Sequence, residues 1–283
     1  MCISLLALPS FAADRALIID GQNNHDWKTT TPLLKRYLEE TGLFTVDVAT
    51  TPPAKQSPEA WSSFAPDFAV YKVVVLNYNG ESWPARVNDA FESFVRDGGG
   101  LVVYHAADNA FPEWKAYNEM IGLGGWGGRN ELTGPTMPYV DGKWLPDHTR
   151  RGVGGHHGPR HPFAVVIRNA KHPITQGLPE RWMHATDELY DSLRGPAVGM
   201  TLLATAYSAP EFDGTGLDEP MLFTIKYGKG RVFHTTLGHG GDAVHCVDFI
   251  VTLQRGAEWA ATGRVTQKVP ADFPTADQVS LRP

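Results

Sequence analysis

The sequence predicts an α/β fold, a doubly wound and mostly parallel sheet built as a single domain. Three observations point there. The runs Tyr71–Asn77 (YKVVVLN) and Leu101–Tyr104 (LVVY) are apolar without alternation, as in parallel strands covered on both faces. Apolar runs of that length alternate with segments of helical periodicity, giving a β-α-β rhythm. Glycine breaks at Gly21 and Gly98-Gly99-Gly100 fall where one element must stop and the next begin.

Taken in order, Arg15–Gly21 reads as a buried strand ending in a glycine turn. Thr29–Gly42 reads as a helix, with threonines at its start, Pro32 in its first turn and Leu33, Leu34, Tyr37 and Leu38 on one face. Phe44–Ala49 alternates as a second strand. Pro84–Asp97 is helical until the glycine triplet stops it, and Phe111–Leu123 is helical after the Leu101–Tyr104 strand. From Gly122 to Gly158 the composition shifts to Gly, Pro, Trp and Asn, a long loop of the kind that is usually functional. Phe163–Arg168, Thr201–Ala206, Met221–Tyr227 and Arg231–Thr236 read as strands, the last two joined by the hairpin turn Tyr227-Gly228-Lys229-Gly230. Cys246–Ala261 closes the fold as a helix. No repeat and no flexible linker interrupts residues 13–263, and a proline-rich tail, 264–283, is expected to run over the surface. Ligands of such sheets sit at the carboxyl ends of the strands, so the loops after Gly21, Asn77 and Tyr104 are expected to share one crevice.

The chain has 283 residues and a formal net charge of −6, with 42% hydrophobic and 20% charged residues. That is the composition of a globular protein rather than a disordered one. No basic stripe is present beyond the pairs Lys35-Arg36 and Arg150-Arg151, so nucleic acid is not an expected partner. No run approaches the ~18 apolar residues of a membrane span. Residues 1–12 (MCISLLALPSFA) are uncharged and end in the small-x-small pattern Ser10-Phe11-Ala12. They read as a secretory signal peptide without its basic start, and the expected location is periplasmic or secreted; a buried first strand is the alternative. Cysteine is scarce, Cys2 and Cys246 only, which excludes a disulfide framework or a CxxC zinc site, whereas there are 11 histidines. Proton transfer or metal binding in this chain therefore falls to imidazoles and carboxylates.

Several histidines lie in loops. His25 sits in the Asn-rich stretch GQNNHDW, either lining a pocket or belonging to a helix cap. His105 follows a strand directly, with Asp108 three residues on, at the kind of turn where hydrolases and amidotransferases hold a nucleophile. Histidine there can act as base or ligand, or be satisfied by backbone. His156, His157 and His161 crowd one loop. Gly158-Pro159 forbids the helix of an HExxH site, leaving His157 and His161 as loop metal ligands or as solvated side chains. His184-Ala185-Thr186-Asp187-Glu188 pairs an imidazole with carboxylates that can orient it, bind metal or act as a base, Asp187 being alternatively a helix cap. His239 stands among glycines after the last strand, where a ligand can approach closely. Trp126 and Trp144, near Tyr139, either stack on a sugar ring or pack in the core. Gly122–Gly127 fits GxGxxG but follows a helix rather than a strand, so no nucleotide cofactor is expected.

Together, GQNNHDW (21–27), GGGLVVYHAADNAF (98–111), HPITQGLPERWMHATDELY (172–190), EPMLFTIKYGKGRVFHTTLGH (219–239) and LQRGAEWAATG (253–263) resemble the ThuA-like, trehalose-utilisation family. The resemblance covers nearly the whole chain after residue 12. It implies a flavodoxin-like, class I glutamine amidotransferase-like fold and a role in carbohydrate catabolism. It supplies no agreed reaction. His105 stands where glutamine amidotransferases carry their catalytic cysteine, so glutaminase chemistry is not expected. The resulting expectation is an exported protein acting on a sugar or 3-keto-sugar derivative by His/carboxylate acid–base chemistry, of hydrolase, lyase or isomerase type. His105, Asp187, Glu188 and His239 are the catalytic candidates. His25, Asp108, Trp126 and Trp144 are the substrate-binding ones, and His157 with His161 would hold a divalent metal, zinc or manganese. The alternative is a carbohydrate-binding accessory subunit of a sugar-oxidising system. A small-molecule carbohydrate is the expected partner, and a homo-oligomer is compatible with the chain.

Overall fold

The computed structural model describes residues 13–283; the leader expected at residues 1–12 lies outside them. In chain order the elements are β1 (Asp14–Asp20), α1 (Trp27–Glu40), β2 (Phe44–Thr50), α2 (Pro58–Ser62), β3 (Val73–Leu76), α3 (Ala85–Arg96), β4 (Gly100–Tyr104) and α4 (Lys115–Ile121). The short strands β5 (Tyr139–Val140) and β6 (Lys143–Trp144) follow, then β7 (His161–Ile167), β8 (Arg181–Asp187), β9 (Met200–Tyr207), β10 (Asp218–Tyr227) and β11 (Gly230–Thr235). Two last helices, α5 (Asp242–His245) and α6 (Val247–Thr262), close the fold.

One sheet carries the order β2-β1-β3-β4-β11-β10-β9-β7-β8. From β2 to β11 all pairings are parallel, in the 2-1-3-4-5 order of flavodoxin-like folds. From β11 onward the pairings are antiparallel, an extension that hairpins can build without crossover helices. Alternation along each parallel strand decides its two faces. Ala16, Ile18, Val73, Val75 and Val102 pack with Leu34 and Leu38 of α1 and Phe249 and Leu253 of α6. Leu17, Ile19, Val74, Leu76, Leu101 and Val103 pack with Val87, Phe91 and Val95 of α3 and Met120 of α4. Fully burying each such aliphatic side chain is worth roughly 1.5–3 kcal/mol. A Cβ added at Gly256 would lie 2.0 Å from Phe233 Cδ1, so the absence of a side chain lets α6 seat directly on β11.

The structure revises three local expectations. Helix α1 begins at Trp27, because Asp26 rather than a threonine caps it by accepting from Thr29 N (3.2 Å), and Pro32 falls inside the helix. The helix expected over Phe111–Leu123 shortens to α4, since Phe111 adopts φ +47° and interrupts it. Arg181–Asp187 was not expected as a strand. It is the edge strand β8, and Asp187 caps no helix. The tail lies along the domain, Val247 N donating to Ser280 O and Met183 N to Thr275 O. Among the described residues no helix is long and apolar enough to cross a membrane.

Candidate active site

The loops that follow β1, β3, β4 and β11 each deliver an imidazole or amide to one crevice. His105 leaves β4 with φ +45°, a conformation that costs a non-glycine residue roughly 1–2 kcal/mol. Its Nδ1 lies 2.6 Å from Thr236 O, an acceptor only, so Nδ1 carries the hydrogen. The lone pair of neutral His105 is therefore on Nε2, 3.0 Å from the Tyr190 hydroxyl. His25 repeats the device after β1: Nδ1 lies 3.2 Å from Asn23 Oδ1, and the Asn23 amide donates to Asn77 Oδ1 (3.1 Å). His157 repeats it from the long loop, Nδ1 donating to Gly158 O (2.9 Å). Three imidazoles thus have their Nδ1 hydrogens committed and their Nε2 lone pairs turned inward, that of His105 accepting from the Tyr190 hydroxyl and those of His25 and His157 free.

All three aim at Glu188. Its Oε2 lies 3.7 Å from His25 Nε2 and 3.6 Å from both His105 Nε2 and His157 Nε2. His239 Nδ1, after β11, is 3.0 Å from Oε1. Burial opposes ionisation of Glu188, but the imidazoles of His105, His239 and His25 hold its carboxyl well below the usual carboxylate range. Burial lowers His25. It would lower His105 as well, yet Glu188 and Asp187 leave His105 above its ordinary value. Side-chain exposure rises from 2% at His105 to 33% at His157, so His105 is the floor of the site and His157 its rim.

A buried charge network holds two of these groups in place. Asp187 Oδ1 accepts from Glu188 N (2.8 Å) and His239 N (3.0 Å), and Oδ2 accepts from Gly238 N (2.7 Å). His184 faces Asp187 through Nε2 and Asp248 through Nδ1, each at 2.9 Å. Despite complete burial the two carboxylates push His184 well above its ordinary pKa, so it is an imidazolium donating from both nitrogens. Trp182 Nε1 donates to Asp248 Oδ2 (2.7 Å) and completes the network.

Above Glu188 the cleft has a volume of about 440 Å³. Asn24, Asn79, Asn109 and Trp126 wall it. Trp126 has φ +51°, and its ring lies 4.7 Å from that of Tyr190. Two non-glycine residues in left-handed backbone, His105 and Trp126, thus meet at one site, and strain of this kind gathers at functional sites. Larger hollows elsewhere, such as the one beside Phe68 and Phe94, contain no comparable cluster.

Of the residues singled out in the sequence, the structure brings together His25, His105, His157, Glu188, His239 and Trp126. Four others stand apart. Asp187 is fully buried and meets the site only through backbone N–H groups. Asp108 is fully buried opposite His234 (3.5 Å) and does not line the cleft, so it cannot bind substrate there. The Trp144 indole donates to Met137 O (2.7 Å) and packs, half-buried, against the core near Phe223, away from the cleft. His161 does not pair with His157 around a common centre. It stacks on Phe212, 3.7 Å between centroids, and its Nδ1 donates to Pro159 O. Tyr190, Asn79 and Asn109 are not among the candidates that the sequence offers, whereas Asn24 falls in the Asn-rich stretch GQNNHDW read there as able to line a pocket. Tyr190 lies two residues beyond Glu188, and Asn79 follows a parallel strand, the one positional signal that marked it.

The model of the ThuA family, described as trehalose utilisation, matches residues 15–260. Among solved structures, a ThuA-like protein of Parabacteroides merdae is 48% identical, with a TM-score of 0.92 over 96% of this chain and 98% of that one. A ThuA-like protein of Bacteroides uniformis is 16% identical with a TM-score of 0.59, covering 93% and 98%, and shares the fold. So does part of a β-galactosidase from Bacillus circulans sp. alkalophilus, 14% identical with a TM-score of 0.51, where 95% of this chain corresponds to 34% of that one. Among curated proteins no significant match is found.

Proposed function

Because this chain belongs to the ThuA family, trehalose utilisation, and hence to carbohydrate metabolism, we propose that it is an enzyme acting on a sugar or 3-keto-sugar derivative in the cleft above Glu188. The observation that carries this reading is the convergence of four imidazoles on one carboxylate beneath an aromatic and amide wall. Trp126 offers a flat face to the apolar CH face of a sugar, and Asn24, Asn79 and Asn109 offer donors and acceptors to its hydroxyls.

A keto group acidifies the C–H bond beside it, which brings proton abstraction within reach of an imidazole. His157, at the rim with its Nε2 lone pair free, takes that proton. The C–H electron pair becomes the C=C bond of an enediolate, and the carbonyl oxygen takes up the negative charge. When the hydroxyl proton of the deprotonated carbon passes to that oxygen and His157 returns the abstracted proton to the former carbonyl carbon, the carbonyl has moved by one carbon and an isomer results. Alternatively the enediolate re-forms the carbonyl and expels the oxygen substituent on the next carbon, which takes the proton from His157, a lyase outcome. A positioned general base of this kind contributes roughly 10²–10⁴-fold. A divalent cation at the same group of residues would stabilise the developing charge. Cys246, buried at the start of α6, offers no substitute for an amidotransferase thiol.

Export to the periplasm or beyond is part of this proposal and rests on the uncharged segment ending in Ser10-Phe11-Ala12. The catalytic reading is tested by following a 3-keto glycoside by NMR with the purified chain. Turnover is expected, with loss of at least ~100-fold in His157→Ala and Glu188→Gln. Full activity in a His105→Ala, Glu188→Ala double variant overturns it. Sugar binding with no turnover supports the accessory-subunit reading instead.

A further inference from the structure

We infer that His25 Nε2, His105 Nε2, His239 Nδ1 and a carboxylate oxygen of Glu188 are the ligands of a single divalent first-row cation, zinc or manganese, at the base of the cleft. This deepens the proposed function and rests on the same cleft being the reactive site. The four ligand atoms lie within 4.8 Å of one another.

Three features of the geometry favour a metal ion over a hydrogen-bonded cluster. First, the Nδ1 hydrogens of His25 and His105 are spent on Asn23 Oδ1 and Thr236 O, so two nitrogen lone pairs and a carboxylate face one another, the Tyr190 hydroxyl 3.0 Å from His105 Nε2 being the one donor beside them. Outer partners of this sort fix the tautomer and ring direction of metal-ligating histidines. Second, the separations fit a coordination shell. His25 and His105 stand 3.7 and 3.6 Å from Glu188 Oε2, beyond hydrogen-bond range. His239 Nδ1 makes no hydrogen bond although it is 3.0 Å from Oε1. Bonds of ~2.1 Å to a common centre would place neighbouring ligands ~3.0 Å apart in an octahedron and ~3.4 Å apart in a tetrahedron. Third, the three rings are mutually near-perpendicular. His25 and His105 cross at 74°, and His239 crosses each of them at 87°. That is how three imidazoles approach one face of an ion.

A second buried group, His184 with Cys246 and Asp248, is similarly close but fails the same test. Both nitrogens of His184 are committed as donors to carboxylates, so no lone pair is left for a metal. Three imidazoles and one carboxylate form a borderline donor set that suits zinc, with manganese served by the carboxylate. Its unliganded side faces His157, Tyr190 and Trp126, where a substrate oxygen would enter.

The full chain, stripped with chelator and confirmed folded by circular dichroism, is titrated with ZnCl2 and separately with MnCl2 by calorimetry, with elemental analysis of the protein as purified. One cation per chain is expected. His25→Gln and Glu188→Gln, which line the open cleft rather than the core, should each weaken binding at least ~100-fold, and His161→Ala should bind as wild type. Folded wild type that takes up neither cation, or variants that bind unchanged, overturns the inference. A chain that takes up neither cation yet turns over a keto glycoside overturns this inference and leaves the acid–base reading standing. Stoichiometric binding without turnover does the reverse.

Discussion

His184 Nε2 lies 2.9 Å from Asp187 Oδ2 with both side chains fully buried. Through Asp187 this pair holds the backbone of Glu188 and His239, two site residues from different loops. Removing one partner of a buried ion pair leaves the other charge uncompensated, at a cost of about 3–5 kcal/mol. His184→Leu is expected to lose that much stability in urea unfolding. Asp187→Asn, which leaves an amide in the same volume, should remain folded with a lower kcat, because the amide cannot accept from all three N–H groups.

His157 and His161 are four residues apart and should behave oppositely. His157 points its free nitrogen at Glu188, whereas His161 stacks on Phe212 outside the cleft. Steady-state kinetics on a keto glycoside should show His157→Ala losing at least ~100-fold in kcat/KM. His161→Ala should lose less than twofold. Equal losses in the two variants would contradict the placement of the rim.

Trp126 and Trp144 separate binding from stability. Trp126 walls the cleft, so Trp126→Ala should raise KM roughly tenfold with a small change in kcat. Trp144 donates to Met137 O beside the core, so Trp144→Phe should cost about 1 kcal/mol in unfolding experiments and leave KM unchanged.

Glu219 sets a pH dependence of stability away from the cleft. Burial pushes its carboxyl up from 4.5 to about 7, although Arg150 Nη1 stands 3.5 Å away and opposes the shift. Burial prevails because Arg150 Nη1 makes no hydrogen bond there. Between those two values the folded chain holds a proton that the unfolded chain has released, so stability falls as pH rises from 4.5 to about 7. The loss is of the order of 3 kcal/mol. Glu219→Gln, which still accepts from Thr215, should flatten that slope in urea midpoints measured at pH 5 and pH 8.

Much of this molecule was legible in its sequence. The uninterrupted apolar runs at Val73–Leu76 and Leu101–Tyr104 announced parallel strands because strands buried on both faces have no polar position to spare. The loops after β1, β3 and β4 followed from the rule that such sheets bind ligands at their carboxyl ends, and His25, Asn79 and His105 stand there. Strand β8 was hidden: it is an edge strand with mixed burial, and its charged ends resemble a loop. Asp108 and Trp144 were misjudged because a residue type suited to binding is equally suited to the interior when a partner such as His234 or Met137 O lies across the fold.

The sequence by itself determined the parallel strands of the sheet and the set of histidines and carboxylates available for chemistry, which follow from local pattern, while the family follows from the resemblance of whole segments. Only the tertiary structure decided which of them meet. Glu188 comes from the end of β8, His25 from beyond β1, His105 from the end of β4 and His239 from beyond β11. Their separations depend on strand order, while the side each imidazole presents depends on which backbone oxygen or amide captures its Nδ1 hydrogen. Both are set by contacts between residues far apart in the chain, His105 and Thr236 being separated by 131 positions, and no local pattern encodes them.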